Sequence, residues 1–195
     1  MKSSAAIVEP RAERRKRETR ERLLEAALRV FKERGYDATT TAEIASAADL
    51  GAGTFYLHFR DKRDVYEGLA RHAAREMTER WQNRLGPTTT FEDAIALALE
   101  TIAEFWGEDR DRTGLLLEGG PSFGSESHLR LVTEVADLLR ARTRGRRRID
   151  SPDVLAATVI GLGIELGRII VGADPARARE TVTGTVALLR RTLSA

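Results

Sequence analysis

Apolar residues recur at helical spacing along most of this chain. Leu24, Ala27, Leu28 and Phe31 share one face of a predicted helix over 14–33, which Gly35 ends. Short helices are expected over 41–47 and 51–58, and a long one over 62–84 stopped by Gly86-Pro87. Five more are expected over 91–106, 110–118, 125–142, 152–171 and 175–193. No stretch alternates with period two, and no segment repeats. The five prolines, at 10, 87, 121, 152 and 175, interrupt no apolar pattern of helical period. Ser151-Pro152 and Asp174-Pro175 each set a capping residue before a first-turn proline. The expected fold class is all-α, with about nine helices.

Composition narrows the choices. With 42% hydrophobic and 32% charged residues, a chain of 195 can bury a core and is not low-complexity. The absence of cysteine excludes a disulfide scaffold, a cysteine nucleophile and a thiolate metal site. His58, His72 and His128 are too scattered for a metal cluster, and no cofactor is expected. The first residues hold no apolar stretch of signal-peptide length. The longest apolar run, 154–171, is broken by Glu165 and Arg168, which makes it a poor membrane span. A soluble cytoplasmic protein is expected.

Charge is uneven. Residues 1–62 carry a net +3 and residues 63–195 a net −1, and 10–22 holds seven basic residues against three acidic ones. A basic segment ahead of a nearly neutral remainder fits a module facing a polyanion. A solvated tail and helix face fits the same numbers.

The most informative stretch is 35–62. Thr40 followed by Glu43 is a capping box that starts a helix sharply. Ile44, Ala45 and Ala48 give that helix a small apolar inner face, which lets a second helix cross closely. Asp49 stands where the chain must turn, and Asp tolerates a left-handed backbone. Leu50 fills the space between the helices, and Gly51 precedes the second. Phe55 and Phe59, four apart, point inward, so Gly53 and Leu57 face outward. Ala52 and Tyr56 then lie on one flank, Thr54 and His58 on the other. Two short helices, a tight turn and a small-residue crossing make a helix-turn-helix, whose second helix enters a DNA major groove. Its exposed face is slim at Ala52 and Gly53, and Thr54 offers a hydroxyl and a methyl to base edges.

Residues 39–62 read T-T-T-A-E-I-A-S-A-A-D-L-G-A-G-T-F-Y-L-H-F-R-D-K. This closely resembles the DNA-binding domain of the TetR family of transcriptional regulators, whose pattern runs roughly T-T-x-x-x-I-A-x-x-A-G-V-S-x-G-T-L-Y-x-H-F-x-x-K. The likeness extends back through R-E-T-R-E-R-L-L-E-A-A-L-R-V-F and forward to about His72, somewhat over a quarter of the chain. It implies that Thr40, Tyr56, His58 and Lys62 hold the phosphate backbone, that Ala52, Gly53 and Thr54 lie against base edges, and that Thr39 also belongs to the DNA face. Asp49 replaces the usual turn glycine and Gly51 the usual capping serine. The implied organisation is a flexible basic arm over 1–12, a helix-turn-helix domain over 13–62 and a ligand-binding and dimerisation domain over 63–195. The basic stretch 11–20 either enters a minor groove or is a solvated tail.

The family likeness places a small-molecule pocket in the C-terminal part and a dimer interface on the last two helices. Pocket candidates are the large apolar residues Trp81, Phe91, Ile95, Leu99, Ile102, Phe105, Trp106, Phe123 and Leu131, with His128 among them. A mostly apolar effector is expected, although Glu100, Glu104 and Glu118 could meet a cationic one. Interface candidates are Leu155, Val159, Leu162, Leu166, Ile169 and Ile170, with Gly161, Gly163 and Gly167 allowing close approach. The last helix adds Val182, Val186, Leu189 and Leu193 at spacings of three and four. Glu165 and Arg168 pair with each other or across the interface. The arginine-rich run 140–148 is expected to be a solvated loop.

The function expected from all this is a homodimeric, ligand-responsive DNA-binding regulator of a palindromic operator, a repressor in the first instance, with no membrane partner. An activator or a ligand-independent repressor stays open, and so does a helical interaction module. An enzyme does not fit, because no nucleophile–base pair, phosphate-binding glycine loop or metal spacing is present.

Overall fold

The computed structural model describes residues 10–117, 126–143 and 151–194. Among them every regular element is helical. In order these are α1 (Arg11–Arg34), α2 (Thr41–Ala47), α3 (Ala52–Tyr56), α4 (Lys62–Arg84), α5 (Phe91–Glu108), α6 (Arg110–Leu117), α7 (Glu126–Thr143), α8 (Pro152–Gly172) and α9 (Pro175–Ser194). The chain divides into two compact units, Met1–Leu69 and Ala70–Ala195.

The first unit contains α1, α2, α3 and the opening turns of α4. Its core is built from Leu23, Leu24, Ala27, Val30 and Phe31 of α1, Ile44 and Ala45 of α2, Phe55 of α3, and Phe59, Val65 and Tyr66. The α1 stripe differs from the predicted face only in detail: Leu28 is half-buried, and Leu23 and Val30 take the interior. The rings of Phe31, Tyr36 and Tyr66 meet with centroids 5.3 to 6.2 Å apart. Helix α1 begins at Arg11, so Arg11 and Ala12, expected in a flexible arm, are helical. So is the rest of the stretch 11–20. Pro10 explains the early start, since its fixed φ is already compatible with a helix and its missing N–H leaves nothing unsatisfied. Residues 1–9 of the expected arm lie outside the described residues.

The second unit is organised around α8, which packs against α5, α6, α7 and α9. By length and composition α8 could cross a membrane. Its Ala156, Val159, Ile160, Leu166 and Ile170 instead fill the interior of the unit. Two glycines permit this packing: a β-carbon on Gly163 would come within 2.9 Å of Ile102, and one on Gly167 within 2.9 Å of the Trp106 ring. The caps of the last two helices are unequal. Asp174 Oδ1 accepts from the backbone N–H groups of Ala176 and Arg177, at 2.9 and 3.1 Å. Ser151, expected to cap α8 in the same way, makes no side-chain cap bond; its ψ of 80° departs from the extended capping conformation.

Candidate nucleic-acid interface and interior cavity

The helix-turn-helix is held by caps, a tight turn and two braces from α1. Thr40 and Glu43 exchange both bonds of the capping box that opens α2, and the Arg34 guanidinium pairs with Glu43. The Thr40 contacts hold the Glu43 carboxyl below the usual carboxylate range. After Ala48 the chain turns through Asp49, whose φ is 55°. The Leu50 N–H then closes the turn on the Ala45 carbonyl at 2.9 Å. Two arginines of α1 brace the end of α2: Arg22 donates to the Ala48 carbonyl and Arg29 to the Ala47 carbonyl, each at 2.6 Å. Cations at a helix C-terminus satisfy orphan carbonyls and oppose the helix dipole.

On α3, Phe55 is buried, and Ala52, Gly53 and Tyr56 are exposed, with Thr54 and His58 half-buried. Gly53 has open space around it. Tyr56 is 59% exposed, and its hydroxyl lies 3.0 Å from Thr41 Oγ1. His58 faces Lys16 and Arg20 of α1; burial first, and then these two cations, push its imidazole below the ordinary pKa of 6.5. The Arg20 guanidinium also sits 4.4 Å from the centre of the Phe59 ring. Lys62 is partly engaged within the protein. Its ammonium donates to the carbonyls of Tyr36 and Asp37, at 2.7 and 3.0 Å, and rests over the Tyr36 ring. Thr39 is a correction. It is 2% exposed and its hydroxyl donates to the Gly35 carbonyl, so it locks the α1–α2 turn and offers no DNA contact. Leu57, outward in the sequence but given no role there, is the most exposed large apolar residue described, at 76%.

In the second unit, α4, α5, α7 and α8 line a partly open apolar cavity of about 40 Å³. Trp81, Ile102, Trp106 and Leu131 line it, together with Met77, Thr78, Ala98 and five further residues of α7 and α8. Thr78 donates to the Ala74 carbonyl, and the Trp81 indole N–H to the Ala94 carbonyl at 2.8 Å. The Trp106 Nε1 is buried with no acceptor among the described residues. Leu99 and Phe105, expected at the pocket, do not line it. Both are completely buried, and Phe105 lies under the guanidinium groups of Arg80 and Arg112. Ile95 likewise belongs to the core, and Phe91 packs against it. Glu100 and Glu104 pair with Arg84, at 3.1 and 2.9 Å, and do not line this cavity; both line a separate, more open pocket beside α9. Phe123, Glu118 and the His128 side chain lie outside the described residues.

The expected interface residues divide. Val159, Leu166, Ile170 and Val186 are buried in their own chain, because α8 must fill the centre of the unit. Leu155, Leu162, Ile169, Val182 and Leu189 are half-buried. The outward face carries Val154 and Leu188, 65% and 57% exposed, and Gly161, which has open space around it. Glu165 pairs with Arg168 of the same helix at 3.1 Å. Of the run 140–148, Arg140 is helical and bonds Asp137 and Asp153, while the stretch after Thr143 and the side chain of Leu193 lie outside the described residues.

The chain is similar in sequence and fold to known proteins. The family model for bacterial regulatory proteins of the tetR family matches residues 23–69. The HTH-type transcriptional regulator CymR of Pseudomonas putida is 30% identical over 149 residues, covering 71% of this chain and 72% of that protein. The HTH-type transcriptional repressor Rv1474c of Mycobacterium tuberculosis is 29% identical, covering 81% and 86%. The alignment with the regulator YhgD of Bacillus subtilis, 32% identical, spans only 44% of that protein. The crystal structure of FadR from Bacillus subtilis in complex with stearoyl-CoA superposes with a TM-score of 0.68 over 87% of this chain and 96% of that one, at 17% identity, a likeness of fold.

Proposed function

Because this chain belongs to the TetR family of bacterial regulatory proteins and is a helix-turn-helix transcriptional regulator, we propose that it is a ligand-responsive repressor that binds a palindromic operator as a homodimer in the cytoplasm. The observation that carries the reading is the bare face of α3. Ala52, Gly53, Tyr56 and Leu57 stand exposed on a helix whose opposite side is anchored by the buried Phe55. A helix so presented, with Lys16, Arg20 and His58 grouped at its C-terminal end, is shaped for a major groove flanked by phosphates. Tyr56, His58, Lys62 and Thr40 are the backbone contacts in this reading, and Ala52, Gly53 and Thr54 the groove surface.

Dimerisation is assigned to the outer faces of α8 and α9, at Val154, Gly161 and Leu188 with the half-buried Leu155, Leu162, Ile169, Val182 and Leu189 beside them. The effector is assigned to the apolar cavity. Since that space is small, an effector enters only by moving its walls. One of them is α4, the helix that begins beside the reading head at Lys62. A ligand with higher affinity for the rearranged walls shifts the protein toward that state. The lining, apolar apart from Thr78, favours an uncharged apolar molecule.

Footprinting on the DNA flanking its own gene tests the whole. A protected, twofold-symmetric stretch whose affinity falls steeply with salt is the expected result. Binding no tighter than to random duplex ends the proposal.

A further inference from the structure

The outward side of α3 is poor in hydrogen-bonding groups. Gly53 and Leu57 are four residues apart on one face, and the helical geometry continues through Leu57, whose φ and ψ are −75° and −18°. Ala52 stands beside them. None of the three has a polar side-chain atom. Tyr56 has one, but its hydroxyl is bonded to Thr41 Oγ1, and the Thr54 side chain is half-buried. A bidentate amide or guanidinium, the usual means of naming a base, is absent from this face. What the face does present is a leucine that is 76% exposed, in front of a glycine with open space around it. An apolar side chain left in water gains by burial, and the apolar group on the floor of a major groove is the 5-methyl of thymine. The cations grouped at His58 supply the charge complementarity that commits this surface to duplex DNA.

We propose that Leu57 is the sequence-reading residue of this regulator, and that it discriminates by apolar contact with thymine methyl groups, with Gly53 leaving room for the backbone to come close. The inference rests on the DNA-binding reading above and adds how the sequence is read. Ala52 contributes a second, smaller methyl contact. Specificity then comes from the position of methyl groups and from duplex shape, with few direct hydrogen bonds to bases.

The test starts from a duplex selected from a random pool by the full-length protein. Each thymine is replaced in turn by uracil, which removes the 5-methyl and leaves every hydrogen-bonding group in place. Dissociation constants are measured for the wild type and for Leu57→Ala, whose exposed position leaves the helical fold intact by circular dichroism. The expected result is a loss of about fourfold at one or two thymines per half-site, the value of one buried methyl group. At the thymines that Leu57 contacts, that loss disappears in Leu57→Ala, while a smaller penalty at a thymine facing Ala52 persists. Uracil penalties of equal size in both proteins at every thymine overturn the role of Leu57. Indifference to uracil at every position overturns reading by methyl contact, while duplex binding itself stands. Failure to enrich any duplex removes the DNA-binding reading, and this proposal with it.

Discussion

At Asp49 a single backbone conformation sets the geometry of the reading head. With φ at 55° Asp49 is the one described residue other than glycine in the left-handed region, and it sits between two helices whose crossing cannot form without that turn. Asp tolerates this conformation better than most residues, yet still less well than glycine. Asp49→Gly is expected to raise the unfolding free energy by about 0.5–1 kcal/mol, read from urea titration. An unchanged or lowered value means that the added freedom of glycine in the unfolded chain cancels the relieved strain. His58 acts at the same scale through its proton. Because its folded pKa lies below 6.5, the unfolded chain binds more protons in the window just under that value, and stability falls as the pH drops through it. Melting temperatures taken between pH 8 and pH 5 should fall further for the wild type than for His58→Gln. A duplex phosphate brought to Lys16, Arg20 and His58 favours the imidazolium, so operator affinity should rise over the same pH interval.

The elements show what could be read from sequence and what could not. The capping box of α2, the turn at Asp49 and the inward Phe55 and Phe59 were legible because each depends on residues within five positions of one another. The contacts of Lys62 with Tyr36 and Asp37, and of Arg22 and Arg29 with the end of α2, join residues 18 to 26 apart, and no local pattern announces them. Thr39 and Thr40 look alike in sequence, yet one is sealed by the α1–α2 turn and the other caps a helix at the surface. Helix α8 is apolar on nearly all sides, so periodicity could not decide which stripe fills its own core. The close approach at Gly167 decides it. An added β-carbon there meets Leu117 at 2.6 Å and the Trp106 ring at 2.9 and 3.1 Å; the leucine end can swing away, but the indole is wedged. Gly167→Ala should therefore cost about 1–3 kcal/mol despite the gain in helix propensity, measured as a lowered urea midpoint at unchanged slope.

For the whole molecule the decisive quantity is how many reading heads act together. One α3 face offers a short helix, a leucine and a few cations, which is little for a specific site; two heads joined by a twofold axis make the second engagement intramolecular and raise affinity without any new contact. The outward residues Val154 and Leu188 are the points at which to break that coupling, because neither contributes to its own chain's core. Val154→Asp with Leu188→Glu places carboxylates where an apolar helix pair would pack, while the buried Val159, Leu166 and Val186 keep the protomer folded. Sedimentation of the wild type should give a dimer, and sedimentation of the double variant a monomer with undiminished helical circular dichroism. Operator affinity of the variant should fall at least tenfold, since a loss of about 1.4 kcal/mol or more follows when one head binds alone. A variant that remains dimeric moves the interface off these faces. A monomer with full operator affinity shows that a single head suffices, and then the operator need not be palindromic.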